Sequence, residues 1–576
     1  MLLDWAWGDS KTPSVQRFAA AGVREGIANP ALESLARLGS SGVNSQNVHR
    51  DLVSRFCKGD VSPYILRLEG STVDAMVYPH EWFHVMFKSY DVEFVRRLGA
   101  TPKELKQFWA EFKSHPKGGE MVRNHQHLRD RSDELLSRTI PLMAHCDAGP
   151  ISNRDSACIL SWGSAAPTAH GSDRQCRFPV AAWSKLHESG HALPNKVWQE
   201  FMHSMACLAR GRFARCMGCG VHFEPGSWRR AKRGKLLAPE EPDSDKGWCG
   251  VLIGFKGDLD WMCNELGLNH FNSSGHPCGY CLANRDDRPW NYFSNRAAWL
   301  ETCFDANSFC AWYRRGAYHP LFDLPGMSPQ FLPIDILHIM YYKGVASHAL
   351  GNVLFELTAP GQIPGCNSRD AALRHINQRL KAYYESCKVS SRIPPLKLKN
   401  LINERGIHDD APQLRGRDIK AAATKQLVGF VVELAREYNS GSEHDLHRKR
   451  AVELLADFSD VLDGGGTILT QREAASLHAI VFKFLKHYAW LAQEATAQGS
   501  FAWAVQPKHH YMAHLGLRQS VLNPKNTSTF LDESLVGRVC AVFAASLDGP
   551  SDRCLQTKVL TKYLLALKVL FSKGIA

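Results

Sequence analysis

The chain has no long apolar run. Nowhere do roughly eighteen uninterrupted apolar residues occur, so no membrane-spanning helix is predicted. The first residues, MLLDWAWGDSK, carry an acid at position 4 and neither a basic leader nor a long apolar segment, which predicts no secretory signal. No period of roughly twenty to fifty residues recurs, which argues against a repeat array. Residues 1–135 show no zinc-finger spacing, helix-turn-helix signature or basic arm. Cysteine is not scarce, but its count of 17 is odd and scattered over 576 residues. That pattern fits reduced intracellular thiols with one or two metal sites better than a disulfide framework.

A chain of 576 residues exceeds a single core and predicts about two to four domains. Its formal charge of +12 favours a polyanionic partner, with nucleic acid the first candidate. Five cations, Arg229, Arg230, Lys232, Arg233 and Lys235, crowd the segment WRRAKRGK. Such a run suits a phosphate-tracking loop, a nuclear-import signal or a plain solvated loop. Lys397, Lys399, Arg415, Arg417 and Lys420 add charge further on.

Hydrophobic periodicity divides the chain. Residues 1–135 read as short, irregular helices, with Trp82, Phe83, Val85 and Met86 and then Val92, Phe94, Val95 and Leu98 in apolar pattern. From Thr139 the pattern changes. Ile140–Cys146 predicts a strand running into Asp147 and an Ala-Gly-Pro turn. Ser156–Trp162 and Arg177–Trp183 predict two more, Pro179 placing the latter at an edge or a bulge. Lys196–Arg210 has helical spacing. Cys249–Phe255, apolar without alternation, predicts a strand covered on both faces. A Gly-Asp-Leu-Asp turn follows, then a short helix with Leu259, Met262, Cys263 and Leu266 on one stripe.

Residues 284–500 read as helical, with stripes through Leu427, Phe430, Val431, Leu434 and Tyr438 and through Leu477, Ile480, Val481, Phe484, Tyr488 and Leu491. Within them PIDILHIMYYKGVASHAL reads as a helix with Asp335 and His338 one turn apart. In the final segment, Glu533, Val536, Cys540, Phe543 and Leu547 fall at helical steps, which predicts Glu533 at the start of a buried face and Asp532 near the N-cap.

The order strand, strand, strand, helix, strand, helix is that of a ribonuclease H-like core, whose first and fourth strands lie side by side. The expected architecture is therefore α/β: a mixed sheet flanked by helices, with a helical N-terminal region (1–135), a first part of the core (136–283), a large all-α insertion (284–500) and a C-terminal part of the core (501–576). Neighbouring strand ends would bring Asp147 and Asp258 within reach of shared metal ions. Each acid also has a plainer account: a turn residue for Asp147, an N-cap for Asp258 and a first-turn acid for Glu533. Asp260 competes with Asp258, but falls with Asn264 on the polar side of its helix.

Taken in order, MAHCDAGPIS with SWGS, GDLDW followed by HPCGYC, Asp335-Ile-Leu-His338, HYMAHL and FLDES resemble the motifs of DDE transposases of the CACTA (En/Spm)-like type over roughly residues 135–550. The resemblance implies a DNA transposase that nicks a transposon end and transfers the freed 3′-hydroxyl to target DNA. Asp147, Asp258 and Glu533 would be its catalytic acids, holding Mg²⁺ or Mn²⁺, with His338 approaching a DNA phosphate and Asp335 orienting it.

The resemblance also bears on the cysteines. Seventeen cysteines give about 0.5 Cys-x-x-Cys pairs by chance, and the chain has two. Only Cys278/Cys281 has the family's position; Cys216/Cys219, with His222 nearby, read as plain cysteines, with a second zinc as the alternative. A closed zinc site needs two more ligands. His510 and His514, at i and i+4, are the better candidates for a structural zinc, with His509 as substitute for His510. Partners implied are transposon-end and target DNA, a second copy of the chain in a homo-oligomer and, with no end-binding module in view, a separate end-recognition protein; the implied location is nuclear. The alternative is a catalytically inactive or domesticated descendant that keeps the fold to bind DNA or to scaffold. A zinc-stapled helical interaction protein without DNA contact is the third class. The presence of all three acids favours the enzyme.

Overall fold

A computed structural model describes residues 2–10, 12–37, 65–68, 73, 75–169, 171–185, 195–241, 246–273, 275–316, 319–403, 410–517, 520–547 and 555–573. Among these residues the protein is mixed α/β, largely helical, with one two-stranded and one five-stranded sheet. The small sheet pairs β1 (Ile65–Arg67) antiparallel with β2 (Ala75–Val77). The helical reading of residues 1–135 missed it, because three-residue strands are too short to show alternation. The same region corrects a second expectation. Phe94 and Leu98 are buried, but Val92 and Val95 face solvent.

The larger sheet comprises β3 (Thr139–Pro150), β4 (Ser156–Ser164), β5 (Phe178–Ser184), β6 (Ala238–Pro239) and β7 (Gly247–Lys256), in the spatial order β5-β4-β3-β7-β6. β3 is antiparallel to β4 and parallel to β7, so the first and fourth predicted strands are neighbours. β5 is an edge strand, and the β4–β5 register shifts next to the Ser161–Pro179 pair, as the proline requires. β7 is apolar throughout its centre because it is covered. The helix Asn195–Arg210 packs on it, setting the Trp198 ring 5.6 Å from Phe255, and Trp261 stacks on Phe255 at 5.2 Å.

β3 runs further than predicted. Its pairing with β4 continues to Pro150, so Asp147 sits inside a strand and not at a turn. Gly149 is needed for close packing: a Cβ there would meet Cys540 Sγ and Val536 Cγ1, each at 2.8 Å. Both belong to the helix Phe530–Ala544. The parallel β3–β7 pairing ends at His145 and Lys256, and Asp147 and Asp258 each follow two residues later.

Val536, Cys540 and Phe543 of that helix are buried as predicted, but its two ends depart from the expected stripe. Asp532 is fully buried, whereas the Glu533 side chain is 35% exposed and Leu547 lies outside the helix. The reason is a pair of counter-ions. Asp532 accepts from Arg177 at 2.7 Å and from Lys256, the last residue of β7. Burial opposes the Asp532 charge, but the Arg177 and Lys256 cations hold its pKa far below the usual range.

Among the described residues two large apolar cores result, beside a small cluster of Cys207, Ala214 and Phe223. One joins the sheet to Trp5, Trp7 and the C-terminal helix, with Trp7 5.0 Å from Tyr563. The other joins the helices Val345–Leu357, Ala421–Glu437, Glu443–Gly464 and Gln471–Ala497 to Tyr511 and Met512. Among the described residues no helix is long and apolar enough to cross a membrane.

Removing Asp532 strands the buried Lys256 and the half-buried Arg177. Asp532→Ala is expected to lower unfolding free energy by about 3–5 kcal/mol, read by urea denaturation, whereas Asp260→Ala, at an exposed position, is expected to change it by about 0.5 kcal/mol at most.

Candidate active site and metal centre

Three carboxylates reach one place from segments far apart in sequence. Asp147 and Asp258 leave neighbouring strands, which lie about 4.8 Å apart. Glu533 arrives on the first turn of a helix that Gly149 lets close and Asp532 fixes. Residues 145, 147 and 149 share one face of β3, the face this helix covers. The Asp147 and Glu533 carboxyl groups are electrostatically coupled. Burial, then the charges of Asp258 and Glu533, hold the Asp147 pKa well above the usual carboxylate range. Glu533 is also raised, by burial and by Asp258, against a lowering by Asp147. Asp258 and Glu533 thus raise Asp147, and Asp258 raises Glu533, so negative charge accumulates where these side chains meet.

Asp258 fills the plainer role as well. It is the N-cap of the helix Leu259–Asn264, its Oδ1 accepting from Trp261 N at 2.6 Å. Capping engages one oxygen and aims the carboxylate, so the two readings are compatible. Asp260, two residues further on, is exposed.

His338 stands beside the acids. Its Nε2 is 3.9 Å from Glu533 Oε1, and its Nδ1 is 2.7 Å from Asp335 Oδ2. Burial disfavours the imidazolium, but the Asp335 hydrogen bond and the charges of Asp335, Asp258 and Asp147 raise the pKa above its ordinary value. Asp335 also accepts from Thr529 N at 2.9 Å and Thr529 Oγ1 at 3.0 Å. Thr529 immediately precedes the Glu533 helix, so one buried carboxylate orients the histidine and anchors the root of that helix.

The single helix expected around His338 is interrupted. Leu337–Tyr341 is a π-helical turn, and the α-helix resumes only at Val345. Between them Lys343 has φ +48°, and a Cβ on Gly344 would fall 2.2 Å from Ile339 O. Lys508 closes the turn, its Nζ donating to the carbonyls of His338, Tyr342 and Lys343 at 2.8, 3.2 and 3.1 Å. Burial lowers its pKa to about 8, against the attraction of Asp258 and Asp335. Reading the sequence missed Lys508, whose only signal was its place next to the histidines of PKHHYMAHL, and missed Lys256 and Arg177 as partners of Asp532.

A second cluster assembles Cys278, Cys281, His510 and His514, all buried, with their ligand atoms within 4.8 Å of one another. Cys278 Sγ lies 3.3 Å from His514 Nε2 and Cys281 Sγ 3.3 Å from His510 Nε2, while the two Nε2 atoms are 3.2 Å apart. Tetrahedral zinc, with bonds of about 2.0 Å to nitrogen and 2.3 Å to sulfur, separates its ligands by roughly 3.3–3.8 Å. Donor set and spacing therefore fit zinc. His510 Nδ1 lies 2.8 Å from Trp290 O, a bond that places the proton there and leaves Nε2 to bind. His509 turns the other way, packing its ring 4.3 Å from Tyr488. Cys216 and Cys219 lie on a turn whose Gly218 and Cys219 amides donate to Glu200 at 2.6 and 3.1 Å.

The basic run is elsewhere. β6, which follows it, pairs with Gly247 and Trp248 at the start of β7, and the nine residue steps to Lys256 span about 30 Å. The acids lie beyond that far end. Arg229 is committed within the fold, donating to buried Glu81 at 2.7 and 2.9 Å. This corrects its assignment as a phosphate contact; Arg230, Lys232, Arg233 and Lys235 remain.

No protein-family model matches the chain, and no curated protein matches it.

The cluster geometry predicts one equivalent of zinc per chain by elemental analysis. The double variant Cys278→Ser/His514→Ala is expected to lose it and to melt well below the wild type, because structural zinc contributes directly to folding.

Proposed function

We propose that this protein is a DDE transposase of the CACTA-like type, with a ribonuclease H-like catalytic core, that cleaves DNA strands and joins them to target DNA. The observation that carries the reading is the convergence of Asp147, Asp258 and Glu533, drawn from two neighbouring strands and a distant helix, with pKa values raised at Asp147 and Glu533. The β5-β4-β3-β7 strand order and the helical insertion between the second and third acids support it. Divalent ions bound there would supply Lewis-acid stabilisation to the attacking and leaving oxygens.

The chain's own residues hold that charge in place and position the phosphate. In the nicking step a water oxygen bonds to phosphorus and the bond from phosphorus to O3′ breaks, leaving a 3′-hydroxyl. In the transfer step that hydroxyl attacks a target phosphodiester, forming one P–O bond as another breaks and the hydroxyl proton passes to the leaving oxygen. Both are in-line displacements in which only the attacking oxygen differs, so one site serves both. The His338 imidazolium faces the acids and can donate from Nε2 to a phosphate oxygen, while Asp335 holds Nδ1. DNA, a second copy of the chain and a separate end-recognition protein are the partners of this reading, and the nucleus is its place of action.

Nicking of supercoiled plasmid with Mg²⁺ or Mn²⁺ tests it. Asp258→Ala and Glu533→Ala are expected to slow nicking on the order of 10³-fold, equivalent to about 4 kcal/mol, while Asp260→Ala stays near wild type. Wild-type protein that binds DNA and never nicks it would overturn the enzyme in favour of the DNA-binding descendant.

The raised carboxylates also set a pH dependence. A carboxyl whose folded pKa exceeds its unfolded value near 4 contributes stability that is present below that value and lost as pH rises through the folded pKa. In metal-free buffer, Glu533→Gln is therefore expected to melt a few degrees above wild type at pH 8 and to lose that advantage towards pH 4. Adding Mg²⁺ should raise the wild-type melting temperature most at the higher pH; a variant advantage that grew on acidification would refute the electrostatic account.

A further inference from the structure

At the start of β7, remote from the acids, the fold gathers cations that the cleavage chemistry leaves unused. Lys88 comes from the helix Pro79–Ser89, Arg215 from the loop after Arg210, and Arg230, Lys232, Arg233 and Lys235 from the basic run. All are exposed except Lys232, which is half-buried. Among the described residues none of the six is ion-paired. The one arginine of the run that has a carboxylate, Arg229, uses it to fasten the short helix Trp228–Lys232 to the buried Glu81.

Other contacts hold the surface in shape. Phe213 packs against Trp228 at 5.6 Å and His84 at 4.8 Å, and Lys232 Nζ lies 6.0 Å from the Phe213 ring. Phe213 N donates to Lys235 O at 2.9 Å, and Gly234 N to Phe213 O at 3.2 Å. The Arg215 side chain lies along Gly234. Burial and then the charges of Lys88 and Lys235 lower the Lys232 pKa, which shows the lysines repelling one another. A fold that fixes like charges together without counter-ions creates a field that a polyanion relieves.

We propose that this surface is a docking site for the backbone of duplex DNA, separate from the acid site and independent of metal. The choice of duplex DNA rests on the proposed function; the separateness rests on the β7 geometry. Contacts through point charges to phosphates carry affinity and position without reading sequence. The run would hold a duplex about 30 Å from the acids, where it contributes binding and no chemistry.

A hairpin-capped duplex of eight base pairs, about 27 Å long, is too short to span both places. Its binding to the full chain is measured by fluorescence anisotropy in chelator, across a salt series. The triple variant Arg230→Glu/Arg233→Glu/Lys235→Glu is expected to bind at least tenfold more weakly. Its plot of log affinity against log salt should be shallower by about 2–3, close to 0.9 for each phosphate left without its cation. The single variants Arg233→Glu and Lys235→Glu are each expected to lose about one unit of slope, which keeps the test valid where the triple variant folds poorly. A control with the same charge change on the helix Gln471–Ala497, Arg472→Glu/Lys483→Glu/Lys486→Glu, should bind within about threefold of wild type. Equal losses in control and triple variant would reduce the effect to net charge and overturn the proposal. So would unchanged salt slopes, or tighter binding of a single-stranded RNA of the same length through the same residues. Because the readout is metal-free binding, failure to nick plasmid sinks the catalytic reading and leaves this one standing, and the reverse holds equally.

Discussion

The buried carboxylate of Asp532, gripped by Lys256 and Arg177, is the constraint on which the arrangement of acids depends. Lys256 ends β7 and Arg177 immediately precedes β5, so the interaction fastens the start of a late helix across the sheet. A buried ion pair is weak evidence for stability, since its desolvation cost rivals its attraction. Here its effect is positional. With Asp532 locked inward, Glu533 is turned about 100° round the helix, towards Asp147. Gly149 completes the device by letting the helix approach β3. An acid that does no chemistry thus decides where the neighbouring acid points.

Two further ties span the helical insertion. Asp335, inside it, bonds Thr529 after it, and the Cys278, Cys281, His510 and His514 cluster joins the segment just before the insertion to the helix that closes it. Both contacts link residues well over a hundred positions apart, so loop-closure entropy opposes them. A zinc held by that cluster would hold such a long loop shut, as does a buried carboxylate accepting five hydrogen bonds. The insertion has its own apolar core, so it can be large without loosening the site, provided its two ends are pinned. The π-helical turn at His338 lies between the two ties, where irregular backbone is held by Lys508.

What the sequence made readable follows from how each residue is used. Strands covered on both faces announce themselves as apolar runs, so β3, β4, β5 and β7 were found within a few residues. Cys278 and Cys281 were singled out from the other Cys-x-x-Cys pair by the family resemblance, and His510 and His514 by their i, i+4 spacing. The rest depends on partners remote in sequence. Periodicity placed Glu533 on the buried face, because Asp532 reads as polar until Lys256 and Arg177 are known to be opposite it. Lys508 and the broken helix at Gly344 were hidden for the same reason. The basic run was visible as charge, yet nothing local distinguishes Arg229, whose partner Glu81 lies 148 residues earlier, from the cations around it.

The two charged regions sit at opposite ends of one strand, and the electrostatics of each explains the separation. Cations placed among the acids would pair with them, as Lys256 and Arg177 pair with Asp532, and would neutralise the negative charge on which the proposed metal site depends. His338 and Lys508 are the tolerated exceptions, each tied to partners of its own: His338 to Asp335, Lys508 to three carbonyls. Keeping the unpaired cations some 30 Å away, beyond several Debye lengths at physiological salt, lets both fields persist. The acids stay mutually repelled, as the proposed metal site requires, while the basic end keeps the free charge that the proposed DNA contact requires. The cost is repulsion within each cluster, which the buried contacts beneath them, Asp532 under the acids and Glu81 under the cations, offset.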